Sequence, residues 1–288
     1  MDIQSKDLFI PAANNWQLAA ALLRKKTNSG PVIMISGAAG VPHDFYKNFA
    51  LYLIEHGAHA VVTYDYRGMG KSSGDQTRWP ELRMKDWALL DFVAVTEYLS
   101  EKFPEKPLVG LGHSYGGQAL GLSGVSDKFS HYGTVATMSG YWRDLGTPYS
   151  VWFQTQIFAK AIAKIFGHVP KKLSVGEAFP RRIMLDWADW IKQPDYFFSD
   201  PDLPEVSRFK DVNLPLLSVG LDDDPWGNHT SIGKFMSQYT SADLRQHWIE
   251  PTSSGKIGHL GFFSRRHKSE HWPVVADFLL SQKWPQPN

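Results

Sequence analysis

Cysteine is absent from this 288-residue chain. That one absence excludes disulfides, thiolate zinc sites and a cysteine nucleophile. No apolar run approaches the length of a membrane span, and the start, Met1 to Asp7, has no apolar core of signal-peptide length. The expectation is a cytoplasmic protein with no membrane partner. Charge of one sign is missing as well. The net charge is +1, with no block of like charges, so nothing calls for nucleic acid or an anionic surface. What is present is core material. Hydrophobic residues make up 43% of the chain and charged residues 20%, which suits a folded α/β domain carrying an insertion.

The organising stretch is Gly110-Leu111-Gly112-His113-Ser114-Tyr115-Gly116-Gly117. It follows the apolar run Lys106 to Val109 and precedes a helix-competent Gln118 to Leu122. Strand, Gly-x-Ser-x-Gly and helix together read as a nucleophile elbow. The turn is too tight for side chains on its neighbours, so Gly112 and Gly116 are needed for room. A dinucleotide fingerprint would need glycine at position 115, where Tyr115 stands. Gly70-Lys71-Ser72 imitates the end of a phosphate loop, but that motif needs glycine where Asp65 stands.

Strands are expected at Leu8–Ile10, Trp16–Leu23, Pro31–Ile35, Ala58–Tyr64 and Gly133–Met138, with helices between them from residue 45 onward. This alternation predicts a mostly parallel sheet with helices on both faces. From 141 to 209 the rhythm breaks into helices with no convincing strand. Trp152, Phe153, Ile157, Phe158, Ile162, Ile165 and Phe166 form a helical stripe that ends at Gly167-His168-Val169-Pro170, suited either to an ordinary helical core or to a cap. Trp142, Trp187 and Trp190 are candidate pocket-lining residues of a cap over the site. The sheet resumes at Asn213–Gly220. Residues 1–140 and 210–288 then form the core, and 141–209 the helical cap.

Chain order completes the constellation. One of Asp222, Asp223 and Asp224 follows a late strand, and His259 stands in a glycine-flanked loop near the C-terminus. Serine, acid, histidine is the order an elbow serine requires. Imidazole takes the serine proton, and the acid orients the imidazole. His267-Lys268-Ser269-Glu270-His271 has the form of a zinc motif, but Pro273 would interrupt the helix that motif needs. No metal and no cofactor are expected. His113 points away from the turn and reads as structural. His43 reads as a surface helix start near the oxyanion loop.

With these residues the chain resembles the α/β-hydrolase superfamily over nearly its whole length. It is most similar to the predicted bacterial α/β-hydrolases grouped as serine-aminopeptidase-like. The matching stretches are Gly40-Val41-Pro42 with Phe45-Tyr46, Thr63 to Ser72, Asp86-Trp87, Gly112 to Gln118, Gly140 to Arg143, Asp223 to Trp226 and Ile257 to Phe263. The resemblance implies an α/β-hydrolase fold, with the cap inserted before the acid-bearing strand. It implies Ser114, Asp223 and His259 as a triad. Asp223 follows from two alignments: three positions past Gly220, and the first position of the family's Asp-Asp-x-Trp. By the same resemblance the oxyanion donors are the N–H groups of Tyr115 and Ala38, although Ser36-Gly37 replaces the His-Gly of many relatives. The implied reaction is cleavage of an ester, thioester or related acyl bond of a small apolar substrate. Acyl transfer, amide or carbon–carbon hydrolysis, and slow turnover by a small-molecule binder are the alternatives.

Overall fold

A computed structural model describes residues 3–174 and 176–286 of the chain. Met1 and Asp2, part of the start read above, lie outside the described residues.

The chain opens with an antiparallel pair, β1 (Gln4–Ala12) and β2 (Trp16–Arg24). Asn14 and Asn15 at its turn both have positive φ, which asparagine tolerates. β3 (Val32–Ser36) follows, then α1 (Lys47–Glu55) and β4 (Ala60–Tyr64). β3 and β4 are buried at every position, as strands covered on both faces must be. A helix spans 87–102, wound as a π-helix in its first six residues and as α2 (Val93–Lys102) in the rest. β5 (Leu108–His113), α3 (Tyr115–Ser123) and β6 (His131–Val135) come next.

β6 ends three residues earlier than the sequence suggests, because Ala136 turns the chain with φ +52°. Between β6 and β9 lies the helical insertion. A continuous helix runs from α4 (Pro148–Trp152) through a π-wound Phe153–Ala159 into α5 (Lys160–Phe166). One small hairpin then appears: β7 (His168–Val169) and β8 (Phe179–Pro180). Its strands have two residues each, next to Pro170 and including Pro180, and leave no pattern to read. α6 (Arg181–Ile191) follows. The chain closes with β9 (Pro215–Leu221), α7 (His229–Met236), β10 (Asp243–Ile249), α8 (Gly258–Gly261) and α9 (Trp272–Ser281). Pro273 sits in the first turn of α9, where its missing N–H costs nothing.

The main sheet has eight strands in the order β1-β2-β4-β3-β5-β6-β9-β10. The pairings β1–β2 and β2–β4 are antiparallel, and every pairing from β4 across to β10 is parallel. Two apolar cores lie on its two faces. One contains Trp87, Phe92 and Leu120 and extends into the insertion through Ile183 and Trp190. The other packs Phe49 and Leu53 of α1 against Trp272 and Phe278 of α9. Strand order reverses at β3, so the loops after β3 and β5 diverge at the C-terminal edge and leave a crevice.

Candidate active site

Ser114 occupies that crevice. Its backbone sits at φ +51°, ψ −112°, a conformation costly for any residue with a side chain. The surroundings force it. Ser114 N–H donates to the Val135 carbonyl (2.9 Å), while α3 begins at the next residue. A Cβ on Gly112 would run into the backbone of Gly116 and Gly117, and one on Gly116 into the Ser36 carbonyl. Two close backbone approaches, rather than turn propensity, therefore dictate both glycines.

His259 lies in α8 and brings Nε2 to 3.0 Å from Ser114 Oγ. Its Nδ1 is 2.7 Å from Asp224 Oδ2. The carboxylate on the imidazole is thus Asp224 and not Asp223. The reason is where the strand ends. β9 runs to Leu221, one residue past Gly220, and Asp222 N–H still donates to Ile249 of β10 (3.1 Å). The turn then closes with Asp224 N–H on the Leu221 carbonyl (3.0 Å), which aims Asp224 inward. Its other oxygen accepts the Trp226 N–H (2.8 Å). Burial pushes the Asp224 carboxyl upward. The adjacent His259 charge and hydrogen bond, with the Trp226 and Gly227 N–H groups, outweigh that and hold it below the ordinary carboxylate value.

Asp223 serves the same loop differently. Its two oxygens accept the N–H groups of Ile257 (2.8 Å) and Gly258 (2.7 Å), bracing the backbone that carries His259. Asp222 is exposed, and among the described residues its carboxylate meets only His229 (3.2 Å).

The oxyanion side also departs from expectation at one position. Ala38 N–H donates to Tyr46 Oη (2.8 Å), so it is already engaged. Among the described residues, the N–H groups of Ala39 and Tyr115 have no protein acceptor. Sequence offered no sign of this, because the acceptor is a side chain eight residues along a loop.

Tyr46 Oη also lies 2.8 Å from His113 Nδ1, and His113 Nε2 lies 2.8 Å from the His259 carbonyl oxygen. Burial, with His259 close by, depresses His113 to about 3, so its ring is neutral and carries one proton. A carbonyl can only accept, so that proton is on Nε2. Nδ1 must then accept from Tyr46, whose oxygen accepts from Ala38. The direction of every bond is thereby set. The loop after β3, the residue before Ser114 and the backbone of His259 form one chain of donors. Tyr46→Phe removes the hydroxyl serving two buried groups. It should cost about 1–3 kcal/mol for each group left bare, read by denaturant unfolding. A variant as stable as the wild type would mean that this chain of bonds is not formed.

His43 does open a short 3-10 turn (His43–Tyr46), but it is buried rather than on the surface. Its Nδ1 lies 3.3 Å from Thr63 Oγ1, and its N–H donates to Asp65 (2.7 Å). Asp65 also accepts Lys71 N–H (2.9 Å), so this carboxylate organises the loop that imitates a phosphate site.

An apolar cavity of about 260 Å³ opens at Ser114, lined by Ala38, Ala39, Met138, Trp187, Trp226 and His259 among others. Of the three expected tryptophans only Trp187 lines it. Trp190, one turn on and rotated to the side, is buried in the insertion and donates to Asp200 (2.6 Å). Trp142 packs beside Tyr149 and Trp152 instead. Trp226 was missed. It stacks on Trp187 with ring centroids 5.8 Å apart, and its place two residues after Asp224 was the available signal.

A family model described as the alpha/beta hydrolase family matches residues 32–272. The chain belongs to the alpha/beta hydrolase family. Solved structures of that architecture resemble it at low identity. An esterase of Pyrococcus furiosus superposes with a TM-score of 0.64 at 16% identity, covering 98% of this chain and 92% of that one. A highly thermostable carboxyl esterase from Bacillus coagulans gives 0.62 at 15%, covering 96% and 98%. An acylaminoacyl peptidase of Pyrococcus horikoshii gives 0.62 at 15%, covering all of this chain and 43% of that one. No curated protein matches the sequence. In chain order Ser114 follows β5, Asp224 follows β9 and His259 follows β10.

Proposed function

We propose that this hydrolase cleaves carboxylic esters, or closely related acyl bonds, with an apolar acyl group, through an acyl-enzyme on Ser114. The observation that carries the reading is the Ser114–His259–Asp224 relay, at 3.0 and 2.7 Å, opening into an apolar cavity. His259 Nε2 removes the Ser114 proton as Oγ attacks the acyl carbon. Asp224 holds Nδ1–H and stabilises the imidazolium. The N–H groups of Tyr115 and Ala39 receive the oxyanion. His259 returns the proton to the departing alcohol. Water then repeats the sequence, releasing the acid and restoring Ser114. The insertion 141–209 serves as a cap, with Trp187 as its contribution to the acyl site.

A second apolar cavity, of about 350 Å³, lies under the insertion and is lined by Phe158, Val169, Leu173, Phe179 and Met184 among others. It shares Trp187 and Trp226 with the first. The stacked pair partitions a short acyl site from a longer one. The test is hydrolysis of p-nitrophenyl esters from acetate to dodecanoate, with and without a fluorophosphonate. Hydrolysis that the inhibitor abolishes is the expected result, and no turnover and no labelling would overturn the reading. Trp187→Ala should shift preference toward longer chains, with KM moving more than kcat. A lower melting temperature with unchanged chain-length preference would make Trp187 a packing residue only.

A further inference from the structure

The helix through 148–166 buries its small face and exposes its large one. Val151, Thr155, Ile162 and Ala163 face the protein. Tyr149 (80% exposed), Phe153 (57%), Ile157 (48%), Ile165 (74%) and Phe166 (61%) face outward. Every residue of the stripe legible in the sequence, apart from Ile162, is exposed, Trp152 least at 38%. A contiguous set of large apolar side chains on a surface marks an interaction site.

Three observations choose its occupant. From Pro148 to Ser174 there is no Asp or Glu, while Lys160, Lys164, Lys171 and Lys172 are all present. Lys164 and Lys172 are exposed and have no carboxylate partner among the described residues. The surface is therefore apolar with a cationic border. A second copy packed on this face about a two-fold axis would bring the same lysines toward one another. An anionic lipid surface would neutralise them, while Tyr149, Trp152 and Phe153 settle at headgroup depth. Finally, Phe158 and Leu173 are each about half exposed and also line the cavity under the insertion. That cavity opens within the apolar stripe.

We propose that this face is a peripheral docking surface for anionic lipid membranes. The helix lies along the interface, and no helix among the described residues is long and apolar enough to cross a membrane. Peripheral attachment needs only a local patch, so the near-neutral net charge does not oppose it. On the ester-hydrolase reading, a substrate dissolved in lipid enters the cavity at Phe158 and Leu173 and passes the Trp187–Trp226 pair toward Ser114. The docking itself is independent of that reading, since an inactive chain would dock equally.

The experiment is flotation of the full chain with vesicles of phosphatidylcholine, with or without one quarter phosphatidylglycerol. The chain should float with the anionic vesicles, and less with the neutral ones or in high salt. Phe153→Ser/Ile157→Ser/Ile165→Ser should reduce binding by about tenfold or more, and Lys164→Gln/Lys172→Gln should weaken it for anionic vesicles only. Both variants alter exposed positions outside the reacting groups, so hydrolysis of a water-soluble ester reports an intact fold. The lysine variant carries the test if the apolar variant misfolds. A wild-type chain that stays in solution with both vesicle types overturns the proposal. So does a wild-type dimer in light scattering that the apolar substitutions convert to monomer without any vesicle binding, which would assign the face to a second copy.

Discussion

Ser114→Ala leaves a folded chain whose kcat on esters falls by roughly 10⁶, the loss typical when the nucleophile of a triad is removed. The fold survives because the elbow depends on its glycines and on the Ser114 N–H bond to Val135, not on the hydroxyl. Among the described residues, Ser114 Oγ hydrogen-bonds only with His259 and, at 3.9 Å, the Met138 sulfur. Alanine therefore strands no strongly polar partner. Intact-mass spectrometry after fluorophosphonate treatment should show one adduct on the wild type and none on the variant. An adduct on the variant would place the nucleophile elsewhere.

The second large effect separates two neighbouring carboxylates. Asp224→Asn should lower kcat by about 10⁴, because an amide facing Nδ1 favours the tautomer that leaves Nε2 protonated and unable to accept from Ser114. Asp223→Asn keeps the imidazole partner and disturbs only the brace on Ile257 and Gly258, so its cost falls on stability, about 1–3 kcal/mol. kcat for both variants, beside their unfolding curves, checks this. Equal losses of kcat at equal stability would refute the division of labour. Asp224 also contributes to acid sensitivity. Its folded-state carboxyl is held below the ordinary 3.8, so its stabilisation is complete above that pH and is lost as pH falls through the folded value. Asp224→Asn should flatten that part of the acid-unfolding profile.

These neighbours show where sequence reading stops. The elbow was legible because its demands are local: strand, glycine, serine, glycine and helix within about a dozen positions. His259 was legible from chain order and its glycine-flanked motif. Asp224 was not, because the count depends on where β9 stops, and that is decided by pairing with β10 some thirty residues away. That the Ala38 N–H is engaged was not legible for a similar reason, since Tyr46 claims it through a segment whose path no periodicity records. Trp187 and Trp190 share a helix and a composition, and only the packing of α6 shows that they meet different neighbours. Periodicity found the stripe on 148–166 correctly. It reports that a helix has an apolar face, and is silent on whether anything covers it.

The hydrogen bond from His113 to the His259 carbonyl joins residues 146 positions apart, and this distance bears on synthesis. Folding follows the ribosome from the N-terminus, so β1 through β6 and the elbow can assemble first. At that stage Ser114 already stands on its strained turn, beside a buried imidazole whose Nε2–H has no acceptor. His259, Asp224 and that acceptor arrive only with β9, β10 and α8. On the proposed mechanism, a nascent or truncated chain that stops before residue 259 carries the Ser114 turn without the imidazole that would activate it. On that mechanism, the segment that caps His113 also brings the imidazole that activates Ser114, so completion of the core and onset of chemistry coincide.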